Sequence, residues 1–176
     1  MWYVVQVRTG DELKLAERLK LEVKENGEEI FVPLFERRKS IKGEWTKVTT
    51  PLFPGYIFFQ TNDVESFYLR LKKINAFTKI LGTGYGYSSI SPDEEKFLRI
   101  LIGDDYIAQE SVGVIEGDKI IIKYGPLHGL EGSILITGLS EEIIYIGEVI
   151  LLDDCWNAVY GLSFMELIPS LISKLV

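Results

Sequence analysis

The first hundred residues alternate between strand-like and helix-like stretches in one definite order. The opening run WYVVQV (residues 2–7) is β-branched and aromatic, which is typical of a strand. Apolar residues then recur at helical spacing, at Leu15, Leu19 and Val23. Later runs continue the pattern and predict the order β-α-β-β-α-β-α. Its first six elements match the split β-α-β, or ferredoxin-like, arrangement, in which two helices cover one face of an antiparallel sheet.

The other strands of this order are marked by short apolar runs. A second strand is predicted at 30–36, where Pro33 favours an edge position because proline cannot donate to a ladder. A polar, basic stretch at 37–49 follows and is interpreted as a projecting hairpin or loop. The third strand is predicted around 55–60 and the fourth at 76–81.

The helices carry recognisable start signals. Thr9 and Glu12 have the spacing of a capping box before the first helix. Ser91 and Pro92 supply an N-cap and a proline at the first position of a third helix that runs to about residue 102. The second helix is predicted from apolar side chains three or four residues apart: Val64, Phe67, Tyr68, Leu71 and Ile74.

The pattern of apolar residues along the sequence changes after the third predicted helix. Residues 104–112 lose both periodicities and predict a linker. Five short apolar runs separated by Gly-rich turns then predict a small closed β-barrel, which would leave few exposed strand edges. The predicted fold class is therefore α+β, with a sandwich domain at 1–103 and a barrel domain at 113–176. The five runs are 114–115, 119–123, 133–137, 143–151 and 157–162.

Charge is distributed unevenly between these two halves. Residues 1–108 hold 16 basic and 16 acidic residues, whereas 109–176 hold three and ten and carry the whole net charge of −7. This balance argues against a protein that coats nucleic acid with a basic surface, and it indicates two units with different surfaces.

Several functional classes are disfavoured by composition. No apolar run reaches the roughly 18 residues of a membrane span, no signal peptide is recognised, and the single Cys155 favours a reducing, cytoplasmic setting. One histidine, His128, and one cysteine are too few for a structural zinc site. We find no nucleophile–histidine pair either, so neither an enzyme nor a cofactor is expected.

Two stretches resemble a known family. WYVVQVRTG (2–10) together with PLFPGYIFF (51–59) resembles the amino-terminal, or NGN, domain of the NusG transcription-elongation factors. VIEGDKIIIKYGPLHGLEGSI (114–134) resembles the KOW motif that begins their carboxy-terminal, SH3-like barrel. Within that family, FVPLFERRKSIKG (31–43) looks closest to the specialised LoaP paralogs, which act as antiterminators on selected bacterial operons.

The resemblance implies a protein that binds RNA polymerase during transcription. The amino domain would dock on the clamp helices of the largest subunit, hold the clamp closed and discourage pausing and termination. LoaP-type members are associated with a hairpin in the nascent leader RNA, whereas a general elongation factor would couple polymerase to Rho or the ribosome. A third possibility is a ribosome-associated binding protein without a polymerase partner.

The polymerase contact is expected around the third strand. Phe53 and its neighbours stand at the entry to that strand, where an apolar side chain could project as an anchor; the alternative is that they are core aromatics. Strand alternation sends Trp2 and Tyr3 to opposite faces, so one is expected in the core and the other in the docking patch. The candidate polymerase-binding residues are Trp2, Tyr3, Leu52, Phe53, Pro54 and Tyr56.

Nucleic-acid contact is expected from the most basic stretch. Cations release counterions from phosphates and an interleaved tryptophan can stack on a base, so nontemplate DNA or an RNA hairpin is the expected ligand. The end of the second helix is a further candidate, although cations there also complement the helix dipole. The candidate residues are Arg37, Arg38, Lys39, Lys42, Trp45 and Lys47 in the stretch, and Arg70 and Lys73 at the helix end.

The KOW region offers a partner loop between two glycines. Leu127, His128 and Leu130 lie on it, and the family places apolar residues here for a partner such as Rho or a small-subunit ribosomal protein. The alternative is that a leucine plugs the end of the barrel. A basic turn usual in LoaP relatives is replaced here by TGLSEEIIYIGE (137–148), whose carboxylates would oppose phosphate. The barrel is therefore expected to bind protein.

Overall fold

The fold is described from a computed structural model. Two compact units are distinguished: among the described residues the first comprises Met1–Pro33 and Pro51–Phe97, and the second comprises Leu34–Thr50 and the residues from Leu98 onward. The residues that the structure describes are 1–41, 44–74, 76, 78–82, 86–116, 119–129 and 149–151. Among these, the backbone alone is described at 37–40, 45, 113–116, 119–120 and 149–151.

The first unit contains a four-stranded antiparallel sheet. Its strands are β1 (Trp2–Gln6), β2 (Glu29–Phe31), β5 (Tyr56–Gln60) and β6 (Lys79–Ile80). Their order across the sheet is β2-β5-β1-β6, so the first and third strands of this unit are central. This is the order of the predicted ferredoxin-like arrangement.

Both faces of this sheet are covered. On one face Phe59 stacks on Phe67 at 4.0 Å between ring centroids, and Tyr3 stacks on Phe59 at 5.5 Å. On the other face Trp2 packs edge-on against Phe31 at 4.8 Å. Since every residue from Trp2 to Val5 is buried and only Gln6 is half-buried, β1 is a core strand over its first four residues.

Two helices lie on the Phe59 face of the sheet. The helix α1 spans Glu12–Glu22 and α2 spans Val64–Leu71, which supplies Phe67. Arg70 at the end of α2 donates to the carbonyl of Val23, the C-cap residue of α1, so the two helices end side by side. A third helix, α3 (Pro92–Ile102), begins with the predicted cap: Ser91 Oγ accepts from the Glu94 N–H, and the Glu94 carboxylate accepts from the Ser91 N–H.

The second unit contains two small sheets within its described residues. The hairpin strands β3 (Leu34–Ile41) and β4 (Glu44–Pro51) form one sheet with β7 (Ile107–Ala108), in the order β4-β3-β7. The strands β8 (Ser111–Glu116), β9 (Lys119–Tyr124) and β10 (Val149–Leu151) form the other, in the order β10-β8-β9.

Three features differ from the sequence prediction. The single strand predicted at 30–36 is two strands, β2 and β3, that join different sheets on either side of Pro33. The predicted linker 104–112 contains β7, which pairs with β3, and the start of β8. Of the predicted barrel, the structure describes three strands; the predicted runs 133–137 and 157–162 lie outside the described residues, so the closed barrel stays a prediction.

A search of the described residues for a helix long and apolar enough to cross a bilayer finds none.

Candidate partner-binding surface

The segment that leads into β5 is a tight turn at residues 53–56. Tyr56 N–H donates to the Phe53 carbonyl at 3.2 Å, Pro54 occupies the second position, and Gly55 follows with φ +87°. This combination has the pattern of a type II turn, in which only glycine is comfortable at the third position. The Gly55 carbonyl also accepts from Val7 N–H at 2.8 Å, which ties the turn to the end of β1.

The expectation that Phe53 projects outward is wrong. Its side chain is 5% exposed, and its ring lies 5.4 Å from that of Phe58. Leu52 is buried as well, and its N–H donates to the Pro33 carbonyl at 2.7 Å. The physical reason is that the sheet offers an aromatic cluster on this face, so burying the residue before the turn gains more than leaving it in water.

The expectation for the first strand is corrected in the same way. Trp2 and Tyr3 do point to opposite faces, but both faces are covered, so neither side chain belongs to an outward patch. Trp2 is 1% exposed and its indole N–H donates to Gln60 Oε1. Of the six candidate polymerase-binding residues, Pro54 is exposed and Tyr56 is half-buried, and these two form the outward part of the turn.

A buried carboxylate holds the turn from below. Glu12 is 3% exposed; its Oε1 accepts from Gly55 N–H at 2.5 Å and its Oε2 from Gly10 N–H at 2.9 Å. The predicted capping box is therefore not formed as expected: Asp11 is the N-cap of α1, and Glu12 reaches across to the turn instead. Sequence reasoning missed this role because the contact with Gly55 joins residues 43 positions apart.

The basic stretch is the β3–β4 hairpin, as predicted. Arg37, Arg38 and Lys39 lie on β3 and Trp45 on β4, each described by its backbone, while Lys42 lies outside the described residues. The side chain of Lys47 is described and is exposed. Its ammonium group pairs with Glu36 at 3.2 Å and with Glu110 at 3.6 Å.

Arg70 is not an outward cation, so its assignment as a nucleic-acid contact is corrected. Its side chain is 15% exposed and its guanidinium pairs with Glu28 at 2.6 Å and Glu25 at 3.0 Å. The same group donates to the Val23 carbonyl at 2.9 Å and to Ser66 Oγ at 2.7 Å. Arg70 therefore fastens α2 to the end of α1, and its hydrogen-bonding capacity is used inside the protein.

Two lysines and two tyrosines occupy the surface beside Arg70. Lys72 and Lys73 are exposed, and the Lys72 ammonium lies 4.4 Å from the ring centroid of Tyr68. Tyr87 packs at 5.1 Å from Tyr68, and loss of solvation together with that neighbouring phenol raises the pKa of Tyr87. The end of α2 thus keeps Lys73 as an outward cation, whereas the Lys72 ammonium lies against the Tyr68 ring.

The loop at 125–129, predicted to be part of a KOW partner loop, is anchored through its first leucine. Leu127 is 1% exposed and its N–H donates to Ser111 Oγ at 3.2 Å, so the expectation that Leu127 faces a partner is wrong. Gly125 at the turn has φ +104°, and a Cβ there would lie 2.5 Å from Ser111 Cα, which fixes glycine at this position. His128 is exposed, and Leu130 lies outside the described residues.

Comparison with known proteins shows a family match for the first 99 residues of the chain. The family model described as "Transcription termination factor nusG" matches residues 1–99, which contain β1, the turn and α2. The curated protein named "Transcription termination/antitermination protein NusG" from Rickettsia typhi is 24% identical over 139 residues, covering 76% of this chain and 72% of its own length. Proteins of the same name match from Lactococcus lactis (26% over 140 residues, 76% of each chain) and Chlamydia pneumoniae (28% over 120 residues, 65% and 63%).

Proposed function

This chain belongs to the NusG family of transcription termination and antitermination factors, and from that premise we propose that it binds transcribing RNA polymerase and suppresses pausing and termination. The observation that carries the proposal is the match to the family model over residues 1–99, the stretch that includes the turn with its outward Pro54 and Tyr56. An exposed proline beside a half-buried tyrosine is a small apolar contact of the kind that anchors protein interfaces.

The proposed polymerase contact is the clamp helices of the largest subunit, reached through the outward part of the turn. Phe53 and Leu52 support this contact from beneath, because both are buried directly before the turn and Phe53 packs on Phe58. Trp2 pairs with Gln60 at the other end of β5, and its expected contribution is to the core. Tyr3 belongs to the opposite face, where it stacks on Phe59, and its expected contribution is to stability.

The proposed nucleic-acid contact is the β3–β4 hairpin, with Lys73 as a separate cation at the end of α2. The hairpin carries Arg37, Arg38 and Lys39 on one strand and Trp45 on the other, a pattern that suits a phosphate backbone with a stacked base. Nontemplate DNA and a nascent RNA hairpin are the two ligands of this chemistry, and competition between the two distinguishes them.

We also propose that the action is operon-specific, as in LoaP-type members, on the resemblance of residues 31–43. The alternative is a general elongation factor, favoured by the names of the matched relatives, which are all termination/antitermination proteins. For the KOW region the proposed partner is a protein, either Rho or a small-subunit ribosomal protein. The ten acidic and three basic residues of 109–176 suit a basic protein surface better than RNA.

In vitro transcription tests this function. A template carrying the leader and first terminator of the neighbouring operon is transcribed by purified polymerase with and without the full chain. Readthrough that rises only when the leader hairpin is intact supports the operon-specific proposal. Readthrough or faster elongation on unrelated templates as well supports the general factor. No change on any template contradicts the proposed function.

A further inference from the structure

Glu12 is one of three polar or charged residues that are buried within the described part of the chain, together with Thr61 and Ser111. We propose that Glu12 is a positioning residue whose carboxylate holds the 53–56 turn in the shape that polymerase binds. This inference rests on the proposed function, because it concerns the same surface. Glu12 itself touches no outward group and acts through the turn.

The contacts of the carboxylate account for this role. Each oxygen accepts one backbone N–H, at 2.5 Å from Gly55 and at 2.9 Å from Gly10. A charged acceptor makes these bonds stronger than neutral ones. Gly55 is buried, so its N–H cannot bond to water instead if the carboxylate is removed. A buried donor without an acceptor lowers the stability of the folded state.

The position of Glu12 on its helix makes the buried charge tolerable. Glu12 is the first residue of α1, where the unpaired N–H groups and the positive end of the helix dipole favour a negative side chain. The same carboxylate therefore links the start of α1, the preceding loop at Gly10 and the turn at Gly55.

The turn has little freedom to find another arrangement. A Cβ on Gly55 would lie 3.1 Å from Thr9 Oγ1, so the loop before α1 packs closely against the turn. With the carboxylate in place, the peptide between Pro54 and Gly55 has one orientation. Without it, this peptide loses its side-chain acceptor and can change orientation within a turn that the Phe53–Tyr56 and Val7–Gly55 hydrogen bonds still hold, so Pro54 shifts relative to Tyr56.

The test compares two isosteric variants of the full chain, Glu12→Gln and Thr61→Val. In Glu12→Gln the side-chain amide presents an NH₂ group to one of the two backbone donors, so the variant breaks one bond while keeping the volume. Thr61→Val removes a buried hydroxyl that bonds Glu28 at 2.8 Å, at the opposite end of β5 from the turn. Affinity for purified core polymerase is measured, together with the Gly55 amide resonance and its hydrogen exchange.

We expect Glu12→Gln to weaken polymerase binding roughly tenfold, to shift the Gly55 amide resonance and to speed its exchange. Thr61→Val is expected to leave the affinity and the Gly55 exchange rate within about twofold of wild type. Equal effects in the two variants, or an unchanged Gly55 amide in Glu12→Gln, overturn the inference. A freed Gly55 amide with unchanged affinity also overturns it.

The wild-type chain supplies a measurement that does not depend on the variants folding. A scalar coupling across the hydrogen bond from the Gly55 amide nitrogen to the Glu12 carboxyl carbon is expected, and its absence contradicts the contact. Failure of the wild-type chain itself to bind polymerase removes the proposed function, and with it the role assigned to Glu12. Weakened binding confined to the Glu12 variant supports the inference and leaves the proposed function standing.

Discussion

The ring of Phe53 contributes to the core. Its burial decides between the two roles that the sequence leaves open, an outward anchor and a core aromatic. A side chain before a turn can project as an anchor or fold back onto the sheet, and the local pattern is the same in both cases. The outcome depends on Phe58, which the turn brings to 5.4 Å. Phe31 on β2 extends this aromatic face, with its ring centroid 5.8 Å from that of Phe58. Such a contact between distant segments is not encoded in the spacing of residues near Phe53.

Replacing Phe53 with alanine is therefore expected to destabilise the protein. Removing a buried phenylalanine ring and leaving a cavity lowers the free energy of unfolding by about 3–5 kcal/mol. Urea unfolding measures this, and Leu21→Ala serves as the control, since Leu21 is 86% exposed on α1 and its removal should change stability by less than about 0.5 kcal/mol. A fully stable Phe53→Ala variant that no longer binds polymerase would instead place Phe53 in the interface.

Arg70 shows the same limit of local reasoning for a charged residue. A cation in the last turn of α2 fits a helix-dipole role or an outward contact, yet Arg70 is taken up by Glu28, Glu25 and the Val23 carbonyl. The partners come from the end of α1 and the loop after it, which the sequence does not place beside α2.

Arg70→Met is expected to lower the free energy of unfolding by about 2–4 kcal/mol, because it leaves the Glu28 carboxylate without its cation and the Val23 carbonyl without its side-chain donor. Lys73→Met, on the exposed neighbour, should change stability by less than about 0.5 kcal/mol. Thermal or urea unfolding of the two variants measures the difference. Equal stability of the two would contradict the clamp described for Arg70.

At the scale of elements, the sequence predicts those parts that depend on local signals. The cap at Ser91 and the apolar spacing of α2 predict helices that begin within a residue or two of the structure. The polar texture of 37–49 predicts a hairpin, but the change of sheet at Pro33 is not predictable locally, because it depends on which strands pair with β3. The short strand β7 is not predictable for the same reason, because a two-residue strand is defined only by its pairing with β3.

The hairpin is the element on which the proposed nucleic-acid contact depends. Changing Arg37, Arg38 and Lys39 together to glutamine is expected to weaken binding of an RNA hairpin and to reduce the slope of log K against log salt by about 2–3, roughly 0.7–0.9 for each phosphate no longer neutralised. A matched triple, Lys14, Lys24 and Lys96 to glutamine, removes the same charge from exposed positions elsewhere. An equal salt slope for the two triple variants would contradict a role of the hairpin in RNA binding.

At the scale of the whole molecule, charge is distributed unevenly along the chain. The net charge is zero over 1–108 and −7 over 109–176, which predicts different partners for the two parts. The family match covers residues 1–99, which lie within the part whose net charge is zero. The described strands β8 and β9 pair antiparallel, and β10 pairs parallel with β8. Closure of that barrel depends on pairing between distant strands, which local patterns do not determine.

If the acidic carboxy-terminal part binds protein, its affinity for a basic partner such as a small-subunit ribosomal protein should fall with salt, while binding of RNA to residues 109–176 should be undetectable. Chemical-shift mapping on the full chain measures both with one labelled sample. Shifts around His128 on addition of the protein partner are expected. Shifts there on addition of the leader RNA would contradict this division of roles.

Affinity of the full chain for RNA polymerase shows whether the outward part of the 53–56 turn is the docking contact. The double variant Pro54→Ala/Tyr56→Ala alters the outward part of the turn, while Leu21→Ala and Leu69→Ala remove exposed leucines from α1 and α2. We expect at least a roughly tenfold drop in affinity for the double variant and less than about a twofold change for each control. Undiminished binding by a correctly folded double variant would contradict this docking contact.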